Sequence, residues 1–298
     1  MNGRAALLAR CTFPPSGTSV ACAVSGGADS LALLALAGQA GCRAIAIHVD
    51  HGLRAGSASE ADIVAAAAAQ LGAQFRSVSV QVPPGPNLEA RARAARYAAL
   101  PADVLTGHTA DDQAETLLVN LLRGAASSGL SGMRPTARRP ILALRRHETE
   151  AVCAELGLRV FHDPTNTDPR HVRNRVRHEL LPLMAEISQR DPVPVLVRQA
   201  DIARADSDFL DELATEIDAR DARSLAAAPI ALARRAVRRW LSGDHPPDAA
   251  TVERVLAVAR GEAAATDVGD GQSVRRSQQR LTVVRTSAVP TTKPVTSE

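Results

Sequence analysis

Lysine, aromatic residues and paired cysteines are scarce in this chain of 298 residues, and each scarcity limits what the protein can do. Phe, Trp and Tyr make up 2% of the sequence, which leaves few rings on which nucleic-acid bases could stack. The four cysteines form no Cys-x-x-Cys pair, so metal clusters, redox dithiols and a disulfide framework lack support. Lys293 is the only lysine, so arginine carries nearly all of the positive charge.

Long hydrophobic runs are also missing. The longest are far shorter than the ~20 residues that a membrane-spanning helix needs. The first fifteen residues contain only a five-residue apolar piece, which is too short for a signal peptide. We therefore expect a cytoplasmic protein without a membrane segment. An apolar content of 45% is ordinary for a globular protein, and the length suggests one large domain or two.

Strand-like and helix-like patterns alternate through the first half of the chain. Strands are predicted at residues 20–24, 43–49, 74–80, 103–106 and 138–144, with helices between them. This alternation predicts an α/β fold with a Rossmann-like parallel sheet and helices on both of its faces. Ligands of such sheets bind at the carboxyl ends of the strands.

The prolines at 192 and 194 mark the predicted joint between two domains. We predict a catalytic domain over residues 1–190 and a smaller, mainly helical domain over 191–285. The smaller domain would include helices at 230–241 and 250–260 and short strands at 272–276 and 280–285. Residues 286–298 are predicted to be a disordered tail.

The segment Ser25-Gly26-Gly27-Ala28-Asp29-Ser30 connects the first strand to a run of strong helix formers. Its glycines let the backbone approach a ligand closely, and the N–H groups at the helix start attract anions. It lacks the Gly-Lys-Ser/Thr of a Walker A loop and the third glycine of a dinucleotide fingerprint. The alternative is an ordinary strand-to-helix turn capped by Ser25 or Asp29. The segment resembles the PP-loop of ATP pyrophosphatases, which implies that these six residues bind ATP.

Three carboxylates open a later helix. Asp111 is a candidate cap, and Asp112 and Glu115 share one helix face because they are three residues apart. They could simply complement the helix dipole, or they could hold a cationic substrate or Mg²⁺. Their position after the strand-end pair Gly107-His108 favours the second interpretation.

Polar residues also end the second strand, where Asp50 and His51 follow an apolar run. Asp50, His51 and His108 are therefore candidates for the nucleotide pocket. The histidines at 48, 51 and 108 do not complete a recognisable zinc ligand set.

The arginines cluster late in the chain, although the net charge is only +3. Arginine forks suit phosphate contacts, so the clusters are candidates for an RNA surface, and solvated helix faces are the alternative. The candidates for RNA contacts are Arg173, Arg175, Arg177, Arg234 and Arg238.

Taken in order, these motifs resemble the tRNA(Ile)-lysidine synthetase family across roughly residues 18–185. The blocks that carry the resemblance are residues 25–30, 48–54, 87–93 with 96–97, 107–108, 111–116, 123–124, 129–133, 139–140, 163–166 and 173–174. Thr109 stands where family members often carry a second histidine. The C-terminal part is short, as in compact family members.

The resemblance implies the ATP- and Mg²⁺-dependent joining of L-lysine to C2 of the wobble cytidine in a CAU-anticodon isoleucine tRNA. Asp112 and Glu115 would bind the lysine, and Asp29 would lie near Mg²⁺ or the amine. The candidates to balance the charge of the adenylate or to grip the tRNA are Arg93, Arg96, Arg173 and Arg177. Asp29, Asp112, Glu115 and Arg93 are thus the predicted catalytic residues. The family leaves a monomer and a homodimer both open.

Other functions are weighed against this one. A tRNA thiolase would use the same loop but needs sulfur-handling cysteines. A small-molecule synthetase with a PP-loop would not need the late arginine clusters. If the chain were a non-catalytic nucleotide- or RNA-binding protein, we would expect the loop or the acidic pair to be damaged. Both are intact.

Overall fold

The computed structural model describes residues 3–50, 57–82, 85, 88–243 and 246–285, and the chain divides into two compact units, 1–204 and 205–298. The first unit contains α1 (Gly3–Leu8), β1 (Ser19–Ala23), α2 (Ala28–Gln39), β2 (Arg43–Asp50), α3 (Ser57–Gln70), β3 (Gln74–Ser79), α4 (Leu88–Ala98), α5 (Ala110–Leu122), α6 (Ser127–Leu130), α7 (Arg146–Glu155), α8 (Val172–Arg175) and α9 (Leu181–Ser188). Helix α10 (Pro192–Leu213) contains the division, and the second unit continues with α11 (Ala222–Ala227), α12 (Ile230–Trp240), α13 (Ala249–Arg260), β4 (Ala265–Gly269), β5 (Gln272–Ser277) and β6 (Arg280–Arg285).

The first unit is built on a parallel sheet, which confirms the predicted fold class. Strand β2 lies between β1 and β3 and pairs with both in parallel, with Ala46 opposite Cys22 on one side and Phe75 on the other. On the free side of β1, Leu105 forms a parallel bridge to Cys22. The segment predicted as a strand over 103–106 therefore reaches the sheet through a single bridge.

Apolar side chains cover both faces of this sheet. Val20, Cys22 and Val24 alternate toward the core that contains α2, whereas Ala21 and Ala23 face a smaller cluster with Leu100 and Val104. Every residue from 30 to 37 in α2 is buried, which explains why that helix is apolar on all sides. This packing fixes the N-terminus of α2 directly beyond the end of β1.

Two sequence predictions about this unit need correction. Residues 138–144 are not a strand: Pro140 has no N–H to donate, and the segment folds into successive turns that bury Ile141 and Leu144. The sequence also predicts one basic helix over residues 173–184 at the end of the first domain, but a π-helical turn over Val176–Leu180 separates α8 from α9 there.

The second unit packs α11, α12 and α13 with an antiparallel sheet in the order β4-β5-β6. Its core includes Leu225, Leu256, Val274 and Leu281. The two short strands predicted near 272–276 and 280–285 are confirmed as β5 and β6. A third strand, β4, was not predicted.

The predicted domain boundary at 190/191 stays a prediction, and the compact units divide at 204/205. The predicted disordered tail, 286–298, lies outside the described residues. None of the helices within the described ranges has both the length and the apolar character needed to cross a bilayer.

Candidate active site

The segment 25–30 forms a compact loop at the N-terminus of α2. The Ser25 backbone N–H donates to Ser30 Oγ at 3.1 Å, and Ser30 Oγ donates to the Gly27 carbonyl at 2.9 Å. Gly26 has φ +78°, a left-handed conformation that disfavours a side chain. Its carbonyl accepts a hydrogen bond from the Phe161 N–H at 2.9 Å. The loop is therefore closed by Ser30 on one side and tied to residue 161 on the other.

Gly107, directly after the extended segment 103–106, packs against this loop. A Cβ at position 107 would lie 2.7 Å from the Asp29 carbonyl oxygen and 3.0 Å from the Ser30 nitrogen. Only glycine allows the two backbones to approach this closely. As a result His108 and the N-terminus of α5 lie beside the N-terminus of α2.

A cavity of about 780 Å³ opens over these elements, and it brings together most of the predicted site residues. The predicted residues that line it are Ser25, Gly27, Ala28, Asp29, Ser30, Arg93, His108, Asp112 and Arg177. The remaining walls come mainly from residues 158–167 and from α7. The cavity thus combines an anion-attracting helix N-terminus with carboxylates and arginines.

The acidic pair is held by two arginines. Arg146 donates to Glu115 Oε1 at 3.0 Å and to Asp112 Oδ1 at 3.2 Å. Arg173 donates to Glu115 Oε2 at 2.7 Å and to Asp112 Oδ1 at 3.0 Å. Asp112 lines the cavity, whereas the Glu115 side chain is only 2% exposed and is not among the residues that line it. Arg177 approaches Glu115 Oε1 at 3.9 Å.

Sequence reasoning missed Arg146. It stands 31 residues after Glu115, so no local spacing joins it to the acidic pair. A signal was nevertheless present, because Arg145 and Arg146 lie at the N-terminal end of a helix, where the dipole disfavours cations. Such a basic pair needs carboxylate partners elsewhere in the fold.

The environment changes the acidity of Asp29. Burial raises its pKa above the ordinary value, and this effect exceeds the opposing hydrogen bond from Thr149 and the charge of Arg146. Asp29 is therefore a stronger base than a carboxylate in water.

The pKa of His108 is lowered, as expected for a buried base. Burial, reinforced by the positive charges of Arg139, Arg173 and Arg93, lowers its pKa to about 4, although the Asp112 charge opposes the change. Its Nδ1 lies 2.8 Å from Thr106 Oγ1. The imidazole is thus neutral at pH 7 and can take part in hydrogen bonds without adding charge.

Helix α4 contributes a cationic wall to the cavity. The Arg93 guanidinium lies 5.1 Å from the centre of the Tyr97 ring, within cation–π range. Arg96 also lines the cavity, and burial lowers its pKa. These side chains provide positive charge on a wall that the phosphate loop does not form.

Other predicted residues lie elsewhere in the structure. Asp50 ends β2, where its carbonyl accepts from Val80, and it is not among the residues that line the cavity; His51 lies outside the described residues. Arg175 pairs with Glu179 at 2.8 Å on an exposed surface.

The two predicted arginines of the second unit are both on α12. Arg234 pairs with Glu253 at 2.5 Å, and Arg238 is exposed. Their neighbours at 235 and 239, part of the same basic run, are tied to residues 207, 211 and 214 by hydrogen bonds. In this basic run, the arginines at 235 and 239 therefore anchor α12, whereas Arg238 is exposed.

The cysteines offer no cluster. Cys22, Cys42 and Cys153 are buried as free thiols, and Cys11 is half-buried. Within the described ranges, no group of three or more His, Cys, Asp or Glu side chains is placed to hold a metal ion.

Comparison with known proteins assigns both parts of the chain. Residues 5–184 match the model of a PP-loop domain, and residues 221–282 match that of a TilS substrate binding domain. A tRNA(Ile)-lysidine synthase from Nocardia farcinica is 40% identical over 93% of this chain and 95% of the relative. Those from Mycobacterium leprae and Thermobifida fusca are 44% and 41% identical and cover 74% and 83% of this chain, and 73% and 84% of their own lengths.

A solved structure supports the fold alone. The U34-tRNA thiolase NcsA from Methanococcus maripaludis aligns with a TM-score of 0.53 and 18% identity over 66% of this chain and 77% of the thiolase. The sequence relatives and the two domain matches are more specific. The chain belongs to the tRNA(Ile)-lysidine synthase family.

Proposed function

We propose that this chain is a carbon–nitrogen ligase that joins L-lysine to C2 of the wobble cytidine in the tRNA(Ile) with a CAU anticodon. ATP first adenylates the C2 oxygen and releases pyrophosphate, and the lysine ε-amine then displaces AMP. The product reads AUA instead of AUG. The observation that carries the proposal is that the PP-loop and the Asp112 carboxylate line one cavity.

The loop suits the first step. The N–H groups at the start of α2 and the Ser25 and Ser30 hydroxyls would hold the phosphates of ATP. Arg93 and Arg177 line the same cavity and would balance the negative charge of the adenylate.

The carboxylates suit the second step, in which a bond forms between the lysine Nε and C2. The bond from C2 to the adenylate oxygen breaks, and its electron pair leaves with AMP. A free ε-amine has a pKa near 10.4, so forming the neutral nucleophile at pH 7 costs roughly 4–5 kcal/mol. Asp29, Asp112 or Glu115 must accept the proton as attack proceeds.

A magnesium ion fits the donor set around the loop. Mg²⁺ commonly takes one or two protein carboxylates and completes its shell with water and substrate phosphates. Asp29 borders the loop and would be the protein ligand. When bound, the ion would neutralise charge that develops on the departing pyrophosphate.

Exposed arginines would contact the RNA. Arg175 and Arg234 form surface ion pairs, which contribute little to stability and are readily exchanged for phosphate contacts. Arg238 is exposed on α12, and Arg173 would have to leave the acidic pair to reach phosphate. Homodimer formation and a cytoplasmic location stay predictions.

The test is an assay of both steps on one tRNA. The purified chain is incubated with ATP, Mg²⁺, labelled lysine and tRNA(Ile) with a CAU anticodon, and tRNA(Met) with the same anticodon serves as the control. We expect tRNA-dependent ATP–pyrophosphate exchange and lysine incorporation into tRNA(Ile) only. Exchange without lysine incorporation, or incorporation of sulfur in place of lysine, would overturn the proposed reaction.

A further inference from the structure

Arg146 is the point at which three carboxylates from two helices meet. Its Nη1 and Nη2 donate to Glu115 and Asp112, and its Nε lies 3.5 Å from Asp29 Oδ2. The side chain is only 14% exposed. The Nε–H makes no hydrogen bond within the described residues, so charge alone joins it to Asp29.

Hydrogen bonds also anchor the backbone of Arg146. Asp111 accepts a hydrogen bond from the Arg146 N–H at 2.8 Å and another from Arg145 Nε at 3.0 Å. Arg145 also pairs with Asp191. These contacts fix the start of α7 although the helix dipole opposes two cations there. Arg146 is thus positioned by residues that do not line the cavity.

The charges around Arg146 are close to balanced. The carboxylates that act on it are Asp29 from α2 and Asp111, Asp112 and Glu115 from α5. The other cations on these carboxylates are Arg145, Arg173 from α8 and Arg177 from the π-helical turn. Glu150 and neutral His108 line the same cavity. Burial alone would lower the pKa of Arg146, but the carboxylates raise it, so this cation persists at any working pH.

This balance matters for an incoming amine. Three unpaired carboxylates would bind the ammonium form of lysine tightly and keep it protonated, and an ammonium has no lone pair with which to attack C2. Carboxylates that already share a permanent cation attract the ammonium less. They still offer oxygens that can accept a proton as attack proceeds.

We propose, on the basis of the lysine ligation proposed above, that Arg146 is a positioning residue that favours the neutral, nucleophilic form of the substrate ε-amine. It acts through Asp29, Asp112 and Glu115 by orienting them and by taking up part of their negative charge. A purely structural Arg146 would stabilise the fold without affecting the pH dependence of the lysine step.

The experiment isolates that step. Enzyme, ATP and tRNA(Ile) are mixed without lysine so that the adenylate accumulates, and lysine incorporation is then followed in a single turnover from pH 6.5 to 10. The same series is run with S-(2-aminoethyl)-L-cysteine, a lysine analogue whose amine is less basic. Wild type, Arg146→Gln and Arg146→Lys are compared with Arg10→Gln, the control at an arginine that pairs with Glu148 on the same helix and does not line the cavity.

We expect Arg146→Gln to retain tRNA-dependent pyrophosphate exchange but to shift the rate profile of the lysine step upward by at least about one pH unit. That shift lowers the rate at pH 7 about tenfold, because the free amine falls tenfold per unit. KM for lysine should not rise, and the less basic analogue should recover part of the loss. Arg146→Lys keeps the cation and should restore the profile, and Arg10→Gln should change stability alone.

The outcomes separate the two proposals. If wild type incorporates no lysine, the proposed function fails. If wild type is active and folded Arg146→Gln shows an unchanged profile and an unchanged preference for the analogue, the role of Arg146 is overturned. If Arg146→Gln does not fold, Asp111→Ala decides, because it removes the acceptor of the Arg146 N–H: an upward shift of the profile supports the role, and an unchanged profile overturns it.

Discussion

Gly107 and Asp29 touch through their backbones: a Cβ on Gly107 would lie 2.7 Å from the Asp29 carbonyl oxygen and 2.9 Å from its carbonyl carbon. Both partners are main chain, so neither can rotate away. This contact sets the distance between the phosphate loop and the segment that carries His108 and α5. A substitution that adds one methyl group at position 107 tests this contact.

Gly107→Ala should separate these two segments. Overpacking of this kind costs about 1–3 kcal/mol, and we expect weaker ATP binding in addition to a lower free energy of unfolding. Gly38→Ala is the matched control, because Gly38 lies in α2 with no atom within 4 Å of its added Cβ. That control should gain about 0.5–1 kcal/mol. Urea unfolding and nucleotide titration measure both effects, and equal behaviour of the two variants would contradict the contact.

Asp29→Asn should separate stability from catalysis. Burial raises the pKa of Asp29 in the folded protein. The ionised carboxylate therefore lowers the free energy of unfolding at any pH above the pKa that Asp29 has in the unfolded chain. Removing the charge should leave the free energy of unfolding at pH 7 unchanged or higher, whereas pyrophosphate exchange should fall at least about 100-fold because the proposed Mg²⁺ ligand is lost. Asp112→Asn should instead lose stability, since it breaks ion pairs with Arg146 and Arg173. A stability loss in Asp29→Asn as large as that in Asp112→Asn would count against this assignment.

Asp111 should contribute stability that disappears in acid. Burial alone would raise its pKa, but hydrogen bonds from Arg145 and the Arg146 N–H lower it below the ordinary value. Its contribution is therefore present above about pH 4 and is lost as the pH falls through the lowered pKa. Asp111→Asn should cost about 1–3 kcal/mol at pH 7 and less at pH 3. The exposed Asp103→Asn is the control, and a cost independent of pH would contradict the ion pairing.

His108 should make the fold less stable as the pH falls from about 6.5 to about 4. Its pKa is lowered to about 4, so the unfolded chain binds the proton more readily over this range. The difference between 6.5 and about 4 corresponds to at most about 3 kcal/mol. His108→Asn should flatten the acid limb of the stability curve. Imidazole nitrogen chemical shifts should show a neutral ring at pH 5.5, and a midpoint near 6.5 would refute the burial argument.

The architecture was predictable from the sequence wherever a local pattern of apolar residues reflects burial. The apolar runs that became β1 and β2 alternate with helix formers, so the parallel sheet and the loop at residues 25–30 were predictable. The run at 138–144 misled because Ile141 and Leu144 are buried by turns, and burial alone does not identify a strand.

The candidate site was predictable only in part. Asp112 and Glu115 were found because they are three positions apart on one helix. Arg146 was missed because its partners lie 31 or more residues away, and only the packing of α7 brings them together. Ion pairs between distant segments depend on the fold, whereas a loop between a strand and a helix depends on a few neighbouring residues.

The hydrogen bond from the Phe161 N–H to the Gly26 carbonyl makes one amide a natural reporter. Residue 161 belongs to the cavity wall, while Gly26 belongs to the loop, so any shift of the loop on nucleotide entry must stretch or shorten this bond. Deuterium uptake at this single amide would therefore register occupancy without a fluorophore, a mutation or the RNA.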